Sequence, residues 1–282
     1  MNFTDIKLGI LGGGQLGRMM IQEAINLNIP TKVMDPDSQA PCKELSTYFY
    51  VGSLQDDELI EVFGKSLDVV TIEIESVSVT GLRKLEELGV KVYPQSRVVE
   101  VVQDKGLQKQ FYQDRNIATA PFYLIDGKND LNPDELTYPF VQKLRKGGYD
   151  GKGVQVIKSA EDLEKKAFDA PCVIEKAIDI DKEISVIVAR DQFGNVVTYD
   201  SVEMEFNHQA NLVEFLFSPS SITPEQEKIA RDLAEKIIVE LDMIGILAVE
   251  MFLDKEGNII VNEIAPRAHN SGHQTIENCH TS

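Results

Sequence analysis

The chain is short of three things, and each shortage removes a class of explanation. Positive charge is the scarcest: 28 lysines and arginines stand against 46 aspartates and glutamates, a formal net charge of −18. A surface that negative repels phosphodiesters, which excludes sequence-independent binding of DNA or RNA. Cysteine is next. Cys42, Cys172 and Cys279 are odd in number and not in CxxC spacing, which argues against a disulfide framework or a zinc ribbon and fits a reducing cytoplasm. Cys172, inside the apolar run PCVIEK, reads as a buried, inert thiol. Long apolar runs are missing too: nothing approaches the roughly 20 uncharged residues of a membrane span. The N-terminus enters an apolar strand with no basic n-region or cleavage site, so no secretory signal is expected. Internal repeats and low-complexity linkers are also lacking.

What remains is an ordinary globular composition, 43 % hydrophobic over 282 residues, enough for two packed units at about 100–200 residues each. The first hundred residues alternate strand and helix patterns. KLGIL (7–11), PTKVMD (30–35), DVVTIEIE (68–75) and VKVYP (90–94) read as strands. RMMIQEAINLN (18–28), DELIEVFGKS (57–66) and VTGLRKLEELG (79–89) read as the helices between them. Strands separated by single helices predict parallel pairing in a doubly wound sheet. SRVVEVVQDKGLQKQFYQDRN (96–116) then reads as one long helix leading out of this unit. Beyond Pro139 the strands come in hairpins, with a capped helix over TPEQEKIARDLAEKIIVELD (223–242), so the second unit is predicted as α+β with antiparallel sheets.

Three motifs carry chemistry. GGGQLG places Gly12, Gly14 and Gly17 in G-x-G-x-x-G spacing between a strand and a helix, and Asp35 closes the next strand. Such a turn admits a phosphate to the helix N-terminus. A dinucleotide, another phosphate ligand and a plain turn all remain open on this motif alone. The second, KLRKGGYDGKG (143–153), lies between two strands and gathers Lys143, Arg145, Lys146 and Lys152 around four glycines. A flexible cationic hairpin tip is suited to folding over a triphosphate. In the third, a turn centred on Glu256-Gly257 would set Glu250 opposite Glu263, with Cβ atoms about 5 Å apart. Two facing carboxylates repel unless one is protonated or a cation sits between them. Ala248, Phe252, Val261 and Ala265, expected on the same face, supply no base, so a hard divalent cation such as magnesium is the simplest resolution. APRAHNSGH (265–273) follows at once and crowds Arg267, His269, Asn270, Ser271 and His273 beside that pair. Arginine suits oxyanions. Asn-Ser-Gly between the histidines speaks against a helical zinc site. His208 and His280 carry no constellation and read as surface residues.

Taken together, GGGQLGRM, GGYDGKG, EKAI with Glu183 eight residues past Glu175, and NEIAPRAHNSGH resemble the 5-(carboxyamino)imidazole ribonucleotide synthases of purine biosynthesis, an ATP-grasp family. The resemblance runs from about residue 7 to the end. It implies a pre-ATP-grasp domain over 1–98 and an ATP-grasp domain over 99–282, with a lid subdomain at about 117–180. It further implies ATP with Mg2+ or Mn2+ and carboxylation of aminoimidazole ribonucleotide by bicarbonate. Lys105 and Lys143 would bind ATP phosphates. Gly148, Tyr149, Asp150, Gly151, Lys152, Gly153 and Val154 would form the closing loop. Glu175, Lys176, Ala177 and Ile178 would meet adenine, and Glu183 the ribose. Glu250 and Glu263 would hold the metal, with Asn262 adjoining. Tyr149, Asp150, Lys152, Arg267, His269 and Asn270 would line the catalytic pocket, and Gly14, Gln15, Leu16, Glu73, Arg267 and Ser271 would face the ribonucleotide. On this resemblance the first glycine motif serves a phosphate ligand other than a nicotinamide.

The chain departs from the family's pattern in three places. Ala268 stands where another residue, often proline, is usual, and Lys105 where arginine is common. The chain ends at Ser282, whereas the resemblance implies a further C-terminal domain of roughly a hundred residues with a basic residue reaching the bicarbonate site. The resemblance also implies a homodimer, and further out a hand-off of product to a carboxyaminoimidazole ribonucleotide mutase. Two alternatives stand beside it: the related formate-dependent glycinamide ribonucleotide transformylase, and a NAD-dependent oxidoreductase built on GGGQLG.

Overall fold

A computed structural model describes residues 5–132, 136–148, 153–207 and 212–282. Tyr149, Asp150, Gly151 and Lys152 of the glycine hairpin, and His208, lie outside the described residues.

The N-terminal part runs β1 (Leu8–Leu11), α1 (Gln15–Asn26), β2 (Thr31–Asp35), β3 (Tyr48–Val51), α2 (Asp57–Gly64), β4 (Val69–Ile72), α3 (Val79–Glu87) and β5 (Lys91–Val92). Its five strands form an all-parallel sheet in the order β3-β2-β1-β4-β5. This is the doubly wound arrangement expected, and each face has its own core. Ile10 and Val33 meet Ile21 of α1 and Cys42 on one face. Leu11, Val70 and Ile72 meet Ile60, Phe63, Leu82 and Leu85 of α2 and α3 on the other. Strand β3 was not foreseen. It follows β2 through a helix-free connection, and three of its four side chains are exposed, so it carries no burial alternation to read.

The long helix expected over 96–116 is two helices, α4 (Ser96–Gln103) and α5 (Lys105–Asp114). The break is Asp104, in extended conformation, whose carboxylate accepts from the Gly106 and Leu107 N–H groups and so caps α5. The cap decides which residues begin the second helix. Lys105 becomes its first residue, and Lys109, four residues on, shares its face.

A four-stranded antiparallel sheet follows, ordered β6-β9-β7-β8, from β6 (Phe122–Ile125), β7 (Phe140–Leu144), β8 (Val154–Ile157) and β9 (Cys172–Lys176), with α6 (Ala160–Lys166) between β8 and β9. The second antiparallel sheet is built on β10 (Ile180–Arg190), with β11 (Val196–Thr198), β12 (Val202–Asn207), β13 (Leu212–Phe217), β14 (Gly245–Asp254) and β15 (Ile259–Ala265). Strand β13 was also unforeseen, since the hairpin pattern beyond Pro139 does not mark it out. One face of this sheet packs on α7 (Pro224–Glu240), where Ile184, Val186, Val249, Met251 and Val261 meet Ala230, Ala234 and Ile237. Thr223 caps α7 in a reciprocal box with Gln226, as its sequence signature predicts. The chain closes on α8 (Thr275–Asn278). Among the described residues no helix is long and apolar enough to cross a membrane.

Candidate functional site

The geometry of the site starts from the β14–β15 hairpin. Its turn holds Gly257 at φ +89° and pairs Leu253 with Ile259 and Met251 with Val261. The ladder is therefore centred on Glu256, one half-step from the expected centre, and an unbroken register would have set Glu250 opposite Asn262. A β-bulge between Glu250 and Met251 absorbs the difference, so Glu250 does pair with Glu263. The bulge corrects the expected face of Val261. Val261 and Met251 point into the core, while Asn262 and Glu263 are both partly exposed. One irregular residue thus brings the Asn262 amide and both carboxylates to one open side of the sheet.

The expectation that no base compensates the carboxylates is also corrected, because the bases come from other elements. Lys105, at the start of α5, is in ion-pair contact with Glu263. His269 Nε2 lies 3.2 Å from Glu250 Oε1. Lys105 first among its neighbours, then Lys143 and His269, hold the Glu263 carboxyl down at about 2 against the opposing effect of burial. Burial works against the charge on Lys105 as well, but Glu263 outweighs it and keeps the ammonium's pKa raised.

Lys143 reaches across from β7. Its Nζ donates to Asn262 Oδ1 at 2.8 Å and lies 3.1 Å from Glu175 Oε2. Glu175, on β9, is only 3 % exposed. Its other oxygen lies 3.2 Å from Lys109 Nζ. Sequence reasoning did not single out Lys109, although its place four residues after Lys105 on one helix was the available signal. Burial pulls the Lys109 pKa down to about 8, with Glu175 opposing and Lys143 and Lys105 adding to the fall. Arg145, grouped with Lys143 by the sequence, goes elsewhere: it makes two 2.8 Å bonds to Asp104. The helix cap and the cationic hairpin are thereby tied together.

Gly148 and Gly153 bring the two ends of the glycine hairpin together. A Cβ on Gly153 would come 3.1 Å from Gly148 Cα, and Gly153 sits at φ +87°. Past the loop, Val154 opens β8 opposite Lys143. Lys176 ends β9 with an exposed side chain, and Ala177 and Ile178 follow it toward Glu183 on β10. Glu183 pairs with Phe252, one step along the open face from the Ser185–Glu250 pair. Burial, and then the Glu250 carboxylate, raise its pKa to about 7, with Lys143 opposing. Its folded-state value thus lies above the ordinary 4.5, so stability is lost as pH rises from about 4.5 through about 7. Glu183→Gln is neutral throughout. Compared by thermal unfolding, its melting temperature relative to the unsubstituted protein should be higher at pH 8 than at pH 5; an equal difference at both would show that the shift is not there.

The APRAHNSGH segment lies beside the same face. Arg267 Nε is 2.8 Å from Glu75 Oε1, which joins it to the end of the N-terminal sheet, and its Nη1 donates to the Ala268 carbonyl at 3.0 Å. Asn270 is exposed and opens a single 3-10 turn. Ser271 is expected among substrate contacts, but it is 1 % exposed. Its hydroxyl is committed to His269 Nδ1 at 2.8 Å and to Ser185 Oγ at 2.9 Å, which places it beneath His269. His273 does not join His269 on a helix face, since the turn between them is irregular. His280 is exposed.

In the N-terminal sheet, Gly14 caps α1 and Gln15 and Leu16 open it, so the helix starts inside the glycine motif. The glycines are needed for close approach. A Cβ on Gly12 or Gly14 would come 2.7 or 2.5 Å from a Glu73 carboxylate oxygen. Asp35, the acid on which a dinucleotide reading depends, accepts from Gly13 N at 2.6 Å and Asp37 N at 2.7 Å. Both of its oxygens are engaged in holding the turn.

Known proteins resemble this chain over nearly its whole length. Residues 6–103 match a family model described as the ribonucleotide synthetase preATP-grasp domain, and residues 110–282 match the ATP-grasp domain. The chain is 40 % identical to a chloroplastic phosphoribosylaminoimidazole carboxylase of Vigna aconitifolia, over 99 % of this chain and 50 % of that protein. It is 36 % identical to N5-carboxyaminoimidazole ribonucleotide synthase of Staphylococcus haemolyticus, over 99 % of this chain and 76 % of that protein. Among solved structures it is similar to the synthetase of Thermotoga maritima, with a TM-score of 0.89 and 39 % identity over 98 % of this chain and 73 % of that one. The Aspergillus clavatus synthase in complex with ADP and 5-aminoimidazole ribonucleotide superposes with a TM-score of 0.88 at 30 % identity, again over 98 % and 73 %. The chain thus spans half the length of the plant relative and about three quarters of the others. On the matched domains and on this likeness, the chain belongs to the N5-carboxyaminoimidazole ribonucleotide synthase family of ATP-grasp enzymes.

Proposed function

We propose that this chain catalyses ATP- and bicarbonate-dependent carboxylation of 5-aminoimidazole ribonucleotide to its N5-carboxy derivative, a step of purine biosynthesis. The observation that carries the reading is the convergence of Lys105, Lys143, Asn262, Glu250 and Glu263 on one open face beside Arg267. Lysines aimed at carboxylates and an amide around a shared opening suit a polyphosphate and its divalent cation. The donor set Glu250, Glu263 and Asn262 is all oxygen, which fits magnesium or manganese. Such an ion, when bound, neutralises charge on the phosphates.

In this reading Lys105 and Lys143 meet the phosphates, the backbone of Glu175–Ile178 meets adenine, and Glu183 meets the ribose. The hairpin from Gly148 to Val154 folds over them. A bicarbonate oxygen attacks the γ-phosphorus of ATP, the bond to ADP breaks, and carboxyphosphate forms. The exocyclic amine of the ribonucleotide then takes the carboxyl group, inorganic phosphate leaves, and the amine proton passes to a base. Tyr149, Asp150 and a substrate phosphate are the candidates for that base. Arg267, His269 and Asn270 line the place of transfer, and the Gly14–Leu16 turn and Glu73 face the ribonucleotide. Three free cysteines among the described residues accord with a reducing cytoplasmic setting. A homodimer and hand-off of the product to a downstream mutase belong to the same reading.

The test is ADP release measured with and without aminoimidazole ribonucleotide, at fixed magnesium and bicarbonate. Stimulation of about tenfold or more by the ribonucleotide is expected, since a site that shields carboxyphosphate from water turns over slowly until the amine acceptor is bound. Stimulation by glycinamide ribonucleotide with formate instead would hand the site to the formyl-transferring relative.

A further inference from the structure

Lys109 is the cation of this region to which no role has fallen. It is 3 % exposed, as is Glu175, and Lys143 beside them is 9 % exposed. The three form a line: Lys109 Nζ is 3.2 Å from one Glu175 oxygen and Lys143 Nζ is 3.1 Å from the other. Lys109 is fixed from behind as well. It donates to Thr119 Oγ1 at 2.6 Å, and Thr119 donates to the Val261 carbonyl at 2.8 Å. The ammonium is thus tied to β15 two residues before Glu263 and stands behind Glu175 from the open face, too deep to be a surface contact.

The charges explain why such a residue is there. Glu175 with Lys143 alone would be a closed, neutral pair, and Lys143 would offer an arriving anion little. With Lys109 on the second oxygen the three groups carry a net charge of +1. Lys143 then keeps an uncancelled charge while its Nζ remains aimed by Asn262 at 2.8 Å. We infer that Lys109 is a positioning residue for nucleotide binding: it occupies the far oxygen of Glu175 and so leaves the charge of Lys143 available to the polyphosphate. This rests on the reading of the site given above.

Calorimetric titration with ATP and with AMP tests the inference, using the whole chain. Lys109→Met should weaken ATP binding about tenfold, the size of one uncancelled charge felt at short range, and AMP binding clearly less. In the reading above only the backbone of Glu175 meets adenine, so Glu175→Gln leaves that contact in place; Lys109→Met with Glu175→Gln removes both charges and should bring ATP affinity back to within threefold of the unsubstituted protein. If Lys109→Met alone does not fold, Lys109→Gln, which removes the charge and keeps a donor for Thr119, decides: a loss of about tenfold for ATP supports the inference, and unchanged affinity overturns it. Equal losses for ATP and AMP, or unchanged ATP affinity in folded Lys109→Met, would also overturn it while leaving the site reading intact. Unsubstituted protein that binds no ATP would remove both.

Discussion

Glu263→Gln is expected to lower ATP turnover by about three orders of magnitude while leaving the fold in place. The carboxyl is held down at about 2 by Lys105 and its neighbours, so it is a full anion at any working pH. Glutamine keeps its shape and removes that charge. Two things then fail together. The oxygen donor set beside Glu250 and Asn262 loses an anionic member, which weakens its hold on a divalent cation. Lys105 loses the partner that offsets its burial, so it no longer presents a reliable ammonium to phosphate. A loss of about 4 kcal/mol in transition-state stabilisation corresponds to about 10³ in rate. The measurement is ADP release over a magnesium titration, in which the variant should also need more magnesium. Turnover within tenfold of normal at saturating magnesium would sink the assignment. The Glu263 side chain is 40 % exposed, so loss of fold is not the expected reason for inactivity.

The same residue shows how far the sequence carries a reader. Alternation along β14 and β15 was enough to bring Glu250 and Glu263 together, and APRAHNSGH was enough to place Arg267 and His269 beside them. The register that does it was not legible, because a bulge depends on packing and not on pattern: Val261 and Ile264 both go into the core, and that demands an odd residue between them. The bases on each carboxylate were not legible either, since Lys105 and His269 arrive from elements remote in sequence or outside the ladder. The doubly wound sheet was readable from its buried strands. Its edge strand β3 was not, because Tyr48, Tyr50 and Val51 are exposed and show no in-out alternation. Burial likewise hid Lys109. A lysine in a helical run reads as solvated surface, and only the fold reveals Glu175 waiting for it.

Asp104 gives the largest stability effect expected outside the cores. Its carboxylate is 4 % exposed and performs two tasks that are normally separate. It caps α5 through the Gly106 and Leu107 N–H groups at 2.8 and 3.3 Å. It also makes a bidentate pair with Arg145, at 2.8 Å on each oxygen. The Arg145 carbonyl in turn accepts from Lys105 N at 2.9 Å, so the cap, the first residue of α5 and the end of β7 form one closed ring of bonds. Asp104→Ala leaves two helix donors and a half-buried guanidinium without partners. Losing the cap costs about 1 kcal/mol, and losing the pair about 2 kcal/mol, less than for a fully buried pair because Arg145 is 26 % exposed and can still reach water. Asp104→Asn keeps an acceptor for the cap and should lose only the second part. The pH dependence follows from sign. Burial alone would raise the Asp104 carboxyl, but Arg145 and the two N–H groups outweigh it and hold it below its ordinary value of 3.8. Its contribution is therefore complete above about pH 4 and is lost as pH falls through the folded-state value. Urea unfolding at pH 7 should show Asp104→Ala about 3 kcal/mol less stable than the unsubstituted chain, with the gap narrowing as pH falls below the ordinary value of 3.8. A gap under 1 kcal/mol at pH 7, or one unchanged at low pH, would mean that α5 and the cationic hairpin are not joined through this carboxylate.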